Sequence, residues 1–333
     1  MYITLLIMIA SALIIYFSCE LFVNGVEWVG KTFNISQNAV GSILAAFGTA
    51  LPESIVTFIA VVFGVNASQK DIGVGAALGG PLVLSTLAYA VVGICILIFS
   101  GTRKSGSCIN VNYKKLAKDQ TWFMSIFVFK IGLGLVAFTI KPWLGILFLI
   151  AYGIYFYKEM NTDTADIAEE LEPLRFSPKS IKPKKTLILL QTIISLILIF
   201  IGSQMFVHNL GTLSISLGVS PHIVSLLLSP VATELPEILN ALIWVRQGKE
   251  NLALGNISGS MMIQATVPSA LGIIFTPWML DKSLLLAAVI TFMSIFIIRS
   301  TLKRGCMTAK KLSLNAFLYV IFIFGVFFIR VKM

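Results

Sequence analysis

The sequence predicts an all-α membrane protein: ten transmembrane helices in two inverted-topology repeats of five, with broken helices carrying a motif that occurs twice. Three observations support this. The composition is 57% hydrophobic and 12% charged, with mean hydropathy +0.92, whereas a soluble domain carries about 25% charged residues. The apolar residues fall in runs long enough to cross a hydrocarbon core of about 30 Å. Finally, the stretch Phe47-Gly48-Thr49-Ala50-Leu51-Pro52-Glu53 returns as Val231-Ala232-Thr233-Glu234-Leu235-Pro236-Glu237.

The runs occupy roughly 3–24, 38–63, 72–99, 121–138, 141–157, 186–207, 221–245, 251–275, 278–298 and 313–329. The first has no Arg/Lys-rich start and no small-residue cleavage signal after it, so it reads as a retained span and not a secretory leader. Nineteen of the 25 Lys and Arg lie in the connections after odd-numbered runs and three, Lys70, Lys141 and Lys282, in or near the connections after even-numbered ones. That bias places the odd connections in the cytoplasm and both termini outside. The same clustering argues against nucleic acid as the partner of a chain with net charge +10; the expected surroundings are a lipid bilayer. Cys19 and Cys95 sit in apolar runs, and Cys108 and Cys306 in basic connections, a spacing that fits neither a disulfide framework nor a thiolate metal site.

The longest connection joins runs five and six. It opens acidic, with Glu159, Asp163, Asp166, Glu169, Glu170 and Glu172, and closes basic with three prolines. It reads as a solvated linker, residues 158–185, between a first repeat at 1–157 and a second at 186–333. The halves stay in register: Phe22-Val23 meets Phe206-Val207, Ser36 meets Ser220, and Thr49 meets Thr233. Further on, Gly75-Ala76-Ala77-Leu78-Gly79-Gly80-Pro81 meets Gly255-Asn256-Ile257-Ser258-Gly259-Ser260-Met261. Five spans per half force the second half to enter from the opposite side. That topology puts a site at the midplane, between the repeats.

A carboxylate at bilayer depth costs about 2.5 kcal/mol or more on insertion scales, so Glu53, Glu234 and Glu237 are functional candidates by default. Proline lacks an N–H and leaves the carbonyl four residues earlier without its helical partner. Those carbonyls belong to Gly48, Ala232 and, for Pro81, Ala77. A free carbonyl beside a carboxylate suits a hard cation. Thr49 and Thr233 each precede a glutamate by four residues and are expected on its face. Glu234 and Glu237 lie three apart and cannot both stay ionised in a dry bundle without a cation or a proton. Asn256, Ser258, Ser260 and Gln264 are the polar candidates on the following helix. Packing alone would account for Gly75, Gly79, Gly255 and Gly259; the alternative is that they let the partner helix's backbone or side chains reach the ion. Glu20, Glu27, His208 and His222 are expected at interfaces, and Lys130 is the basic residue deep in a span that could pair with a carboxylate.

Gly-Thr-Ala-Leu-Pro-Glu at 48–53, Ala-Thr-Glu-Leu-Pro-Glu at 232–237 and Gly-Asn-Ile-Ser-Gly-Ser at 255–260 resemble the two alpha-repeats of the cation/calcium exchanger superfamily. The resemblance implies a secondary antiporter that exchanges Ca2+ for Na+ (or H+) by alternating access, the ions being substrates and no cofactor being needed. Glu53 and Glu237 would be the divalent ligands, with Thr49 and Thr233 giving oxygens mainly to Na+. The chain departs from the family pattern at Ala50 and Glu234, where Ser follows the repeat Thr, and at Pro81 and Met261, where Asn or Asp is usual. Glu234 would then replace the lost acid. A Ca2+/H+ or other divalent cation antiporter of the same fold is the alternative, and an ion channel the next. Neither a nucleophile–base pair nor a zinc-type histidine motif accompanies the glutamates, so no enzyme is expected. Nothing in the sequence sets the oligomeric state.

Overall fold

The computed structural model describes residues 2–64, 67–99, 109–161, 171–180, 182–216, 227, 229–305 and 307–331. Cys108, Cys306, Ser220, His222 and the acids Asp163, Asp166, Glu169 and Glu170 lie outside the described residues, as do the side chains of Leu51, Pro52 and Ala232.

The described chain is helical, and helix falls within each of the expected runs. In order it forms α1 (Tyr2–Phe33), a short turn Gln37–Ala39, a π-helical segment Val40–Ala45 and α2 (Ala46–Val62). Next come α3 (Ala67–Val83), a second π-helical segment Leu84–Ala88, α4 (Tyr89–Ile98), α5 (Tyr113–Leu135) and α6 (Gly145–Met160). The second half holds α7 (Lys185–Ser216), α8 (Ser229–Thr233), α9 (Leu235–Arg246), α10 (Glu250–Phe275), α11 (Lys282–Lys303), α12 (Ala309–Ser313) and α13 (Ala316–Val331). Among the described residues, six helical stretches are long and apolar enough to cross a membrane.

Those six divide by burial. Glu250–Phe275 is 83% buried and Gly73–Ile98 72%, whereas Tyr2–Phe33 and Lys185–Phe206 are each 33% and Ala309–Ile329 28%. The most buried stretch is also the least apolar, with hydropathy 1.4 against 2.1–2.4 for the others. Lipid does not reward apolar contact between helices, so the centre of a membrane bundle is chosen by small and polar residues. α10 meets that requirement and packs against α2, α3, α5, α6, α9 and the first π-helical segment. The closest approach is at Gly259, where a Cβ would stand 2.0 Å from the Ser42 carbonyl oxygen. On the outside, α1 and α7, the first helices of the two halves, lie side by side along their lengths.

Caps and cross-ties set the ends. Asn112 accepts the Lys115 amide at 3.1 Å to start α5, and Asp281 accepts the Leu284 amide at 2.7 Å to start α11. Glu27 binds the Trp244 indole (2.8 Å) and the Lys249 ammonium (2.5 Å), tying α1 to the end of α9. Glu27 thereby packs the two halves together. The second half of the linker also differs from a solvated spacer. Leu174 is fully buried with Trp28 and Ile188. The Trp28 indole donates to the Glu172 carbonyl (2.9 Å), and the Phe176 amide to Gln191 Oε1 (2.9 Å). The proline-rich chain satisfies only part of its own backbone, and α1 and α7 supply further partners with Asn24, Trp28 and Gln191.

Candidate functional site

The two copies of the motif fold differently. In the first, α2 runs unbroken from Ala46 to Val62 through Leu51-Pro52-Glu53, and the irregularity is the wider π-helical turn just upstream. In the second, α8 ends at Thr233 and Glu234 takes φ −85°, ψ 2°. α9 begins at Leu235, with Pro236 in its first turn. The expectation of a broken helix therefore holds for the second copy only. A proline in a first turn gives up an N–H that would lack a helical partner anyway. Glu234 also keeps both its backbone bonds across the break, from its amide to Pro230 O and from the Ile238 amide to its own carbonyl, each at 3.1 Å.

Three carboxylates lie in the bundle interior: Glu53 is 2% exposed, Glu234 0% and Glu237 1%. Gln264 of α10 joins two of them. Its amide nitrogen donates to Glu53 Oε2 and to Glu234 Oε1, each at 2.8 Å. α3 presses against the same group: a Cβ on Gly80 would lie 2.6 Å from Glu53 Oε1 and 2.7 Å from Gln264 Oε1. Glu237 faces another set, with the hydroxyls of Thr49 and Ser260 beside its carboxylate. Thr49 thus lies beside the glutamate of the other half and not beside Glu53 on its own helix. It also donates to its own i−4 carbonyl, Ala45, at 3.1 Å. Thr233 does not reach a carboxylate; its hydroxyl donates to Pro230 O at 3.2 Å.

The remaining candidates separate. Gly48 sits where α2 meets α1 and α7, and a Cβ there would stand 2.8 Å from both Phe22 Cζ and Leu196 Cδ2, so its smallness serves packing. Ala232 lies in the last turn of α8. Asn256 and Ser260 are fully buried in α10. Ser258 is committed elsewhere, to Tyr89 and Gln120 at 2.9 Å each. His208 is exposed, and Glu20 accepts from Tyr16 at 3.0 Å.

Several buried oxygens in this region have no hydrogen-bond partner: Glu234 Oε2, Glu237 Oε2, Asn240 Oδ1, Asn256 Oδ1, Ser260 Oγ and Gln264 Oε1. Buried polar atoms without partners are uncommon, and a concentration of hard oxygens is what an alkaline-earth or alkali cation requires. The carboxylates are not already gathered into one cage: among the described residues no three acidic, histidine or cysteine side chains converge closely enough to hold one ion. In this conformation the Gln264 amide bridges where a cation would. Asn240 and Gly80 escaped the sequence reading. Asn240 was findable, since it lies three residues after Glu237 and on its face; the role of Gly80 depends on a neighbouring helix.

The chain matches the sodium/calcium exchanger protein family over residues 3–158 and 187–330. It belongs to that family. Among curated relatives of this exchanger-family chain, an uncharacterized membrane protein of Methanocaldococcus jannaschii (MJ0091) is 25% identical over 79% of each chain. The putative antiporter CaxA of Alkalimonas amylolytica is 26% identical over 84% of this chain and 83% of its own. The fold is that of the sodium-calcium exchanger NCX_Mj. One structure, soaked with 2.5 mM Na+ and 10 mM Sr2+, superposes with TM-score 0.76 at 22% identity, covering 96% of this chain and 97% of that one. The family and the fold make this a multi-pass membrane protein of the transporter kind.

Proposed function

We propose that this exchanger-family protein is a secondary antiporter that moves Ca2+ against Na+ by alternating access, with Glu53, Glu234 and Glu237 as its charged ligands. The observation that carries the reading is the meeting of both halves at one buried group: Glu53 from the first repeat and Glu234 from the second share the Gln264 amide. Thr49, Asn256 and Ser260 add neutral oxygens beside Glu237 and along α10. Thr233 and Ala232 contribute through the backbone around the break, and Gly48 through the carbonyl that Pro52 leaves without a donor. The ten crossings, the repeats at 1–157 and 186–333 and the linker at 158–185 complete the reading. The Lys/Arg bias supports outside termini and a cytoplasmic linker.

A proton as the counter-ion is the second reading. It is favoured by the same amide-bridged pair, since two carboxylates within reach of one –NH2 group readily share a proton. Uptake of calcium-45 into proteoliposomes, driven by an outward Na+ gradient, an outward H+ gradient or neither, separates the two. Acceleration by Na+ alone supports Ca2+/Na+ exchange, acceleration by the proton gradient alone supports Ca2+/H+ exchange, and no uptake under any gradient rules out Ca2+ as the substrate. Glu234→Gln is expected to slow divalent uptake about tenfold, as loss of one charge-assisted oxygen contact would. Unchanged uptake would show that Glu234 does not stand in for an acid at Met261.

A further inference from the structure

Lys130, on α5, is fully buried. Its ammonium donates to the Ala77 carbonyl at 2.9 Å and to Ser269 Oγ at 3.1 Å, and it lies 5.0 Å from the centroid of the Phe127 ring. Both polar partners connect it to the carboxylate group. Ala77 O is the carbonyl that Pro81 leaves without a helical donor, and one turn on from it Gly80 abuts Glu53. Ser269 in turn donates to Gln264 O at 3.1 Å, the carbonyl that Pro268 frees in α10. Gln264 is the residue whose amide bridges Glu53 and Glu234. The ammonium is also close enough to Glu53 for their charges to interact.

A lysine in this position does part of what a bound cation does: it takes the oxygen that Pro81 has released and sets a positive charge near a midplane carboxylate. Its backbone is held as well, because the Trp278 indole donates to Lys130 O at 3.0 Å. The charges then limit what the site admits. Three carboxylates offset by one ammonium leave two negative charges, and an ion in a dry bundle must be closely neutralised. One divalent ion satisfies that, and so do two monovalent ones.

We propose that Lys130 is a tethered cation that sets the exchange stoichiometry, holding it at one divalent against two monovalent ions, so that a full cycle moves no net charge. The inference rests on the antiporter reading but applies equally to Na+ or H+ as the counter-ion. Removal of the ammonium, as in Lys130→Met, leaves a third negative charge and admits a third monovalent ion.

The test uses calcium-45 accumulation in proteoliposomes clamped by valinomycin and K+ at zero and at 100 mV, under whichever monovalent gradient drives uptake. A cycle that carries one net charge changes the accumulation ratio about fiftyfold per 100 mV. For the wild-type chain the expected ratio is the same at both potentials, with a Hill coefficient for the monovalent ion of about two. For Lys130→Met and Lys130→Gln a shift of about fiftyfold is expected, with the Hill coefficient rising by about one. Loss of a purely structural pin lowers rates and yields without moving either quantity. A wild-type ratio that follows voltage overturns the proposal even if neither variant folds. So does a folded variant that keeps wild-type voltage independence. Absence of wild-type calcium-45 exchange under every gradient overturns the Ca2+ antiporter reading, and this inference with it.

Discussion

The motif copies at 47–53 and 231–237 share four of seven residues and differ in structure. The first sits in one helix, Ala46–Val62, and sends Glu53 to the second half's Gln264. The second is split at Glu234, and the split turns both Glu234 and Glu237 inward. Their threonines diverge too: Thr49 reaches the Glu237 carboxylate, while Thr233 bonds only to Pro230 O. A duplicated sequence therefore does not give a duplicated site. Each copy's role depends on what the opposite half places against it, and α10 packs against both α2 and α9.

Four sets of substitutions probe that asymmetry. The largest effect is expected from Glu53→Gln and Glu237→Gln, each lowering gradient-driven divalent uptake at least about a hundredfold, since both remove charge from one buried group. A loss confined to one of them would mean that only one copy carries the site. Gly80→Ala comes next, with a drop of about tenfold in uptake while the protein still purifies as a monodisperse species. The added methyl must displace the Glu53 carboxylate or the Gln264 amide, and overpacking of this kind costs about 1–3 kcal/mol. Wild-type uptake in that variant would mean the two groups move apart freely.

The third compares the prolines. Pro236→Ala is expected to cut uptake about fivefold, because an N–H at 236 lets α8 and α9 merge and withdraws Glu234 from Gln264. Pro52→Ala, in a helix that is already continuous, should change uptake less than about twofold. Equal effects would remove the distinction drawn between the copies. The smallest effect separates the threonines by the isosteric change to valine. Thr49→Val should weaken divalent binding, read by calorimetry, by about fivefold, the worth of one hydrogen bond of about 1 kcal/mol. Thr233→Val should leave binding unchanged and lower the melting temperature slightly, through loss of its bond to Pro230 O.

The sequence by itself determined the membrane character, the internal duplication and the identity of the charged residues. Hydropathy, register and the high cost of a buried glutamate are properties of single segments or of one segment against its copy. It also singled out Lys130 and the Ala77 carbonyl, one as a basic residue deep in a span and the other as the acceptor released by Pro81. Only the tertiary structure joined those two, paired Thr49 with the opposite half's glutamate, and made Gln264 the bridge between Glu53 and Glu234. It also kept the first copy helical, gave Gly80 its importance and docked the linker's proline-rich end on α1 and α7. The reason is that local sequence limits what each helix can offer, but which oxygen faces which charge depends on how closely two helices cross, and that distance is set by residues far apart in the chain.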